Sequence, residues 1–245
     1  MRLLFCPLPG RYVAVRLDPV AMVKHLRDPV ALREAQAMRP KTYLMYIETD
    51  LELPYPGRPW YKFSMSPIGT TLRFEDKEHG FTKRMCIPIY PNERHPSRAP
   101  LIPEQEFPYN NCYHWFDFRV FVRIRASSRR FEDHDAIWLH YEQERRMARC
   151  WLRDRDRARR NRQTRFSEPD CPICAFAGYD RGGVTLAPTN RFGDVFGHRH
   201  ILNEYAHDVE LFPIVDVWHE FPDFLRQRDI PNPLGFFKER DHIAQ

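Results

Sequence analysis

Lysine and glycine are scarce in this 245-residue chain. Six Lys stand against 32 Arg, with none between Lys83 and Lys238, and ten Gly against 22 Pro. No apolar run approaches the roughly 18 residues of a membrane-spanning helix, so no membrane partner is expected. No Asn-x-Ser/Thr acceptor for N-glycosylation occurs, and the apolar run Leu3-Leu4-Phe5-Cys6 is too short for a signal-peptide core. Of six Cys, Cys6, Cys86, Cys112 and Cys150 sit singly among apolar neighbours, as small hydrophobes would, which argues against a secreted disulfide framework. These absences imply an intracellular, reduced protein, cytoplasmic or nuclear.

Catalytic signatures are also missing. There is no Gly-x-Ser-x-Gly, no P-loop, no Gly-x-Gly-x-x-Gly and no His-Glu-x-x-His. Acidic residues adjoin His79 and His134, but Glu75 to Glu78 and Glu132 to Asp135 read as solvated loops. Cys112 and His114 share a strand face, and that face is assigned to the core rather than to a thiolate–imidazole pair. No catalytic residue is assigned, and the balance is against an enzyme.

What the chain does have is hydrophobic content of 42%, of which a third is aromatic at 14%, so a folded core is expected. Its excess positive charge is confined to one stretch. Glu142 to Arg165 holds ten Arg and four acidic residues, a net of +6, while the other 221 residues hold 28 basic and 29 acidic side chains, a net of −1.

The first zone, residues 1–134, reads as a β-rich domain. Arg11 to Leu17 alternates, and Thr42 to Thr49 is rich in aromatic and β-branched residues. Trp60 to Met65 and Met85 to Tyr90 are further short strands. Cys112 to Ile124 reads as one half-buried antiparallel strand, with His114, Phe116, Phe118, Val120, Val122 and Ile124 on a single face. A helical insertion interrupts these strands. Asp18-Pro19 and Asp28-Pro29 each offer an N-cap followed by Pro at the first helical position, which predicts two short helices meeting near Arg27. Cys86 to Pro108 carries six Pro and should be an extended loop covering a sheet edge.

The second zone, 135–165, reads as an Arg-rich helix capped by Asp135. Ile137, Tyr141, Ala148, Trp151 and Leu152 are expected to pack against the β domain. After Leu152 only Ala158 is apolar, so that half is expected to project into solvent or meet a partner. Two readings stay open: a salt-bridged solvated helix, or a contact surface for an acidic protein or nucleic acid, carried by Arg153, Arg157, Arg159, Arg160 and Arg162. The third zone, 166–245, is Pro- and aromatic-rich and reads as an irregular tail, draped on the first domain or partly disordered, with Leu211 to Phe221 a strand or buried segment.

One metal set is conceivable. Cys171 and Cys174 have the two-residue gap that lets two thiolates share a zinc ion, and His198 and His200 follow after 23 intervening residues. The His-x-His spacing is shorter than the three to five residues typical of a zinc finger. The alternative function is therefore a zinc-stabilised module or zinc-dependent enzyme, and without that set no cofactor is expected.

Pro59 to Gly69 (Pro-Trp-Tyr-Lys-Phe-Ser-Met-Ser-Pro-Ile-Gly), Ile87 to Asn92 and Asn111 to Trp115 resemble a pattern in uncharacterised proteins of mushroom-forming fungi. The resemblance covers roughly the first 125 residues. It implies a eukaryotic, non-secreted setting and assigns no residue roles. The fold expected is α+β: a β-rich domain of short antiparallel strands with a helical insertion, a charged helix and an irregular tail.

Overall fold

The computed structural model describes residues 3–4, 6–53, 55, 57–126, 131–132, 136–166 and 212–244. The alternating segments form strands: Tyr12–Leu17 (β1), Thr42–Asp50 (β2), Trp60–Gly69 (β3), Cys86–Pro88 (β4), Tyr113–Trp115 (β5), Val120–Arg125 (β6) and Ile214–Trp218 (β7). Helices are Pro19–Val23 (α1), Pro29–Ala37 (α2), Tyr141–Phe166 (α3) and Leu234–Ala244 (α4). The chain is thus α+β. Among the described residues no helix is long and apolar enough to cross a membrane.

Five strands close on themselves. Their order is β2-β1-β7-β6-β3, and β3 pairs again with β2 to complete a barrel. Each strand turns one face inward. Val13, Val15, Met45, Ile47, Phe63, Met65, Val122, Ile124 and Val215 all enter one buried cluster. Burying each such side chain stabilises by roughly 1.5–3 kcal/mol. The β2–β3 register shifts between Ile47 and Thr49, a bulge that leaves Glu48 unpaired in the ladder. Its carboxylate there accepts from Arg119 at 2.7 Å and from Ser64 at 3.2 Å.

All these pairings are antiparallel except one. β7 lies within Leu211 to Phe221, the part of the third zone expected to be a strand or buried segment; it runs parallel to β6 and antiparallel to β1 and supplies a stave between these two earlier strands. A parallel neighbour needs a long crossover, and the crossover here contains α3. Within 166–245, residues 167–211 lie outside the described part, and 212–244 hold β7, two short 3₁₀ turns and α4. Helix α4 packs on the barrel cluster through Phe236 and Phe237, with Phe236 edge-on to Tyr43 and Phe237 4.9 Å from Phe118.

The expected single strand over 112–124 is two. β5 and β6 are separated by a turn in which Asp117 takes a left-handed φ of 50°. The turn redirects the chain, so β5 pairs with the far end of β3 and with β4, while β6 pairs with the near end of β3. Val122 consequently joins the barrel interior, while His114 packs against the rings of Tyr12 and Tyr46. Both Asp-Pro helix starts are present. Asp18 Oδ1 accepts from Ala21 N at 2.9 Å and Asp28 Oδ1 from Val30 N at 2.7 Å, with Arg27 left-handed between the helices.

The Pro-rich segment has two jobs. Cys86–Pro88 pairs with β5 at the sheet edge, where a terminal Pro is tolerated. The remainder lies over the outer face of the barrel, where Ile89, Leu101, Phe107 and Tyr109 join Tyr12, Ala14, Leu44 and Tyr46 in a second cluster. Ile137, Leu139 and Met147 complete that layer.

Candidate functional site

Helix α3 starts at Tyr141; Asp135, its expected cap, lies outside the described residues. His140 takes the capping role: its carbonyl accepts from Gln143 and Glu144 N–H, and its Nδ1 accepts from Glu142 N–H at 3.4 Å. Glu142 and Glu144 stand in the first turn, where the helix dipole favours negative charge. Tyr46 donates to Glu144 Oε1 at 2.9 Å, fixing that turn to β2.

Of the residues expected to pack against the β domain, Ile137 and Trp151 do so, but the face that α3 itself buries is shifted from the expected one. Tyr141 and Leu152 are exposed, at 63% and 49%, whereas Met147, Asp154 and Ala158 are buried. The spacing of seven and four residues is one helical stripe. Asp154 is fully buried because Arg98 reaches it from the Pro-rich loop: Nη1 donates to Oδ2 at 2.7 Å and Nη2 to Oδ1. Burial opposes the charge on Arg98, but the bonds to Asp154 outweigh it and raise its pKa. The second half of the helix therefore meets its own chain rather than projecting into solvent. Gly80, with φ of 71°, lies against the Ala158 carbonyl, and Asn161 Nδ2 donates to Gly80 O at 2.9 Å.

One residue round from this stripe run Arg146, Arg149, Arg153 and Arg157, three or four apart. With Arg98, Ser97 and Ala99 of the loop they line a groove of about 520 Å³ between loop and helix. The loop wall is pinned. Asn92 Nδ2 donates to Cys112 O at 2.9 Å, His95 Nε2 meets Arg84 O at 3.1 Å, and Arg146 donates to Ala99 O at 2.6 Å and Pro100 O at 2.9 Å. Proline leaves such carbonyls without local partners, and the guanidinium supplies them. Arg149, Arg153 and Arg157 are exposed and make no hydrogen bond or ion pair among the described residues. No Asp or Glu lines the groove. Three free guanidinium groups, Arg149, Arg153 and Arg157, in a lining without an acid favour an anion, because each can present two parallel donors to a phosphate or carboxylate.

Of the five arginines singled out from sequence, the groove gathers Arg153 and Arg157. Arg159, Arg160 and Arg162 lie elsewhere on the helix and do not line it. Sequence reasoning missed Arg98, Arg146 and Arg149. Arg149 was detectable, since it stands four residues before Arg153 and eight before Arg157; Arg98, in a loop, left no such signal. No protein-family model, curated protein or solved structure matches this chain.

Cys171, Cys174, His198 and His200 all lie outside the described residues. Among the described residues no group of three or more His, Cys, Asp or Glu is placed to hold a metal ion. Cys6, Cys86, Cys112 and Cys150 are free thiols.

Two buried polar groups lie apart from the groove. Tyr12 Oη pairs with His114 Nε2 at 2.8 Å, while His114 Nδ1 is buried without a partner. Burial pushes the His114 imidazole down to about 3, so it is neutral. Arg73 is 1% exposed and all three of its guanidinium nitrogens lack hydrogen-bond partners. Its charge rests instead on aromatic faces, 4.3 Å from the Phe81 ring centre and 5.0 Å from Phe74. Burial lowers its pKa to about 10. Neither group opens on the groove.

Proposed function

We propose that this chain is a non-enzymatic interaction protein of the cell interior that holds an anionic partner, nucleic acid or an acidic protein, along α3. The barrel serves as scaffold and the Pro-rich loop as the second wall of the contact surface. The observation that carries this reading is the convergence of Arg98, Arg146, Arg149, Arg153 and Arg157 on one groove with no acidic residue in its lining. A charged helix that served only solubility would intersperse acids on every face. Here Asp154, in the middle of the stretch, is turned inward and consumed by Arg98.

The test compares two charge-matched triple variants for retention on a heparin column. Arg149→Gln/Arg153→Gln/Arg157→Gln should elute at markedly lower salt than the parent. Arg145→Gln/Arg159→Gln/Arg160→Gln removes as much charge from outside the groove and should elute later than the groove triple. Equal losses would assign the retention to bulk charge and remove the groove from the account.

A further inference from the structure

We infer that the occupant of the groove is the sugar–phosphate backbone of single-stranded nucleic acid, held through about three consecutive phosphates without reading the bases. This rests on the reading of the groove as a contact surface and adds what it contacts. Three features of the lining point the same way.

Its shape comes first. Arg146 and Arg157 stand 11 residues apart on one helix, about 16 Å at roughly 1.5 Å per residue. One extended chain can lie along that length with its phosphates on the arginines, whereas the second strand of a duplex would stand away from them. The free cations Arg149, Arg153 and Arg157 succeed one another at about 6 Å, one per helical turn, so each meets a separate phosphate of a chain running parallel to the helix.

Its chemistry selects phosphate over an acidic peptide. Guanidinium groups are donors only, and apart from the Ser97 hydroxyl and the Cys150 thiol the polar side chains of the lining are all Arg. The Ala99 carbonyl already accepts from Arg146. A peptide brings its own backbone N–H donors, which a wall of donors leaves unpaired. A phosphodiester backbone is all acceptor and matches such a wall.

What the groove lacks supplies the third feature. No aromatic residue lines it, so bases have nothing to stack on and point outward. Phe116 and Trp151 line a separate hollow of about 340 Å³ on the opposite flank of the helix. Stacking on aromatic side chains contributes roughly 1–3 kcal/mol per base in proteins that use it; without it, affinity comes from charge and falls steeply with salt.

The experiment measures fluorescence anisotropy of the full chain with a labelled oligothymidylate of about 12 nucleotides, the matching duplex and a glutamate peptide of equal charge. The single strand should bind roughly tenfold or more tighter than either. With three phosphates engaged, the logarithm of its affinity should fall with a slope of about −2 against log salt, and Arg149→Gln, Arg153→Gln and Arg157→Gln should each flatten the slope by roughly 0.7. Arg159→Gln, outside the groove, should leave the slope unchanged. Oligothymidylate should also slow alkylation of Cys150, which lies in the groove, read by mass spectrometry of its peptide. A duplex that binds as tightly as the single strand overturns the inference. A glutamate peptide that binds best, and is lost in the groove variants, overturns it while the contact-surface reading stands. No binding of any probe at about 50 mM salt ends both.

Discussion

Arg98 and Asp154, 56 residues apart in sequence, form a two-pronged ion pair in which the aspartate has no solvent exposure and the arginine very little. The pair sets the position of the loop wall against α3 and hence the width of the groove. Removing one partner of such a pair strands the other charge in a place that water does not reach. Asp154→Ala is expected to lower stability by roughly 3–5 kcal/mol, while the apolar double replacement Arg98→Met/Asp154→Leu stays within about 2 kcal/mol of the parent. Urea unfolding of the three proteins checks this, and a single variant as stable as the double would mean the pair is not desolvated.

Gly80 is where the chain lets α3 come close. A Cβ there would lie 2.3 Å from the Ala158 carbonyl oxygen, on a backbone whose φ of 71° already disfavours a side chain. Gly80→Ala should destabilise by roughly 2–4 kcal/mol, combining backbone strain with overpacking. Gly57 separates the two contributions: its φ is 87° but no atom lies within 4 Å of a Cβ, so Gly57→Ala should lose only about 1–2 kcal/mol. Amide exchange should accelerate across Asp154–Asn161 in the first variant and not in the second.

The buried pair of Tyr12 and His114 makes stability depend on acidity. In the unfolded chain the imidazole titrates near its ordinary value of about 6.5, and in the folded protein near 3. Between those values the unfolded state binds the extra proton, so this contribution is full above about pH 6.5 and is lost as the pH falls toward 3. The slope approaches roughly 1.4 kcal/mol per pH unit in that window. His114→Gln keeps an acceptor for the Tyr12 hydroxyl without the titration, and its melting temperature should decline less between pH 6 and pH 4. Parallel decline of both proteins would place the acid sensitivity elsewhere.

Arg73 holds a charge on phenylalanine faces without a hydrogen bond. Losing that charge while keeping the volume removes a desolvation penalty, so Arg73→Met should match or exceed the parent in stability by about 1–3 kcal/mol. Arg73→Ala leaves a void among Phe74, Phe81 and Phe118 and should lose roughly 2–4 kcal/mol. If thermal melts rank Met below Ala, the cation–aromatic contact outweighs the desolvation.

Local pattern carried a good part of this architecture. Alternation marks Arg11 to Leu17 and aromatic and β-branched content marks Thr42 to Thr49 as strands, and the two Asp-Pro pairs mark the helix starts, because those signals depend only on neighbours. The break between β5 and β6 is invisible for the same reason: Asp117 is neither Gly nor Pro, and the apolar alternation continues through it. The phase of α3 is misread because Asp154 looks like a solvent-facing residue until Arg98 is brought beside it. The groove suffers likewise, since four of its five cations stand at helical spacing while the loop that brings Arg98 to face them does not follow from spacing. Contacts across 56 residues are properties of the fold, and nothing in the local spacing announces them.

The placement of β7 has a consequence for synthesis. Its neighbours β1 and β6 are complete by residue 125, yet the stave that joins them ends at residue 218. At ribosomal speeds of about 5–20 residues per second, the nascent chain spends roughly 5–20 s with two bare strand edges before the barrel can shut. For a little over half of that interval, from residue 166 on, α3 and its arginines are already made, so the cationic surface is complete before the barrel that is to hold it can close.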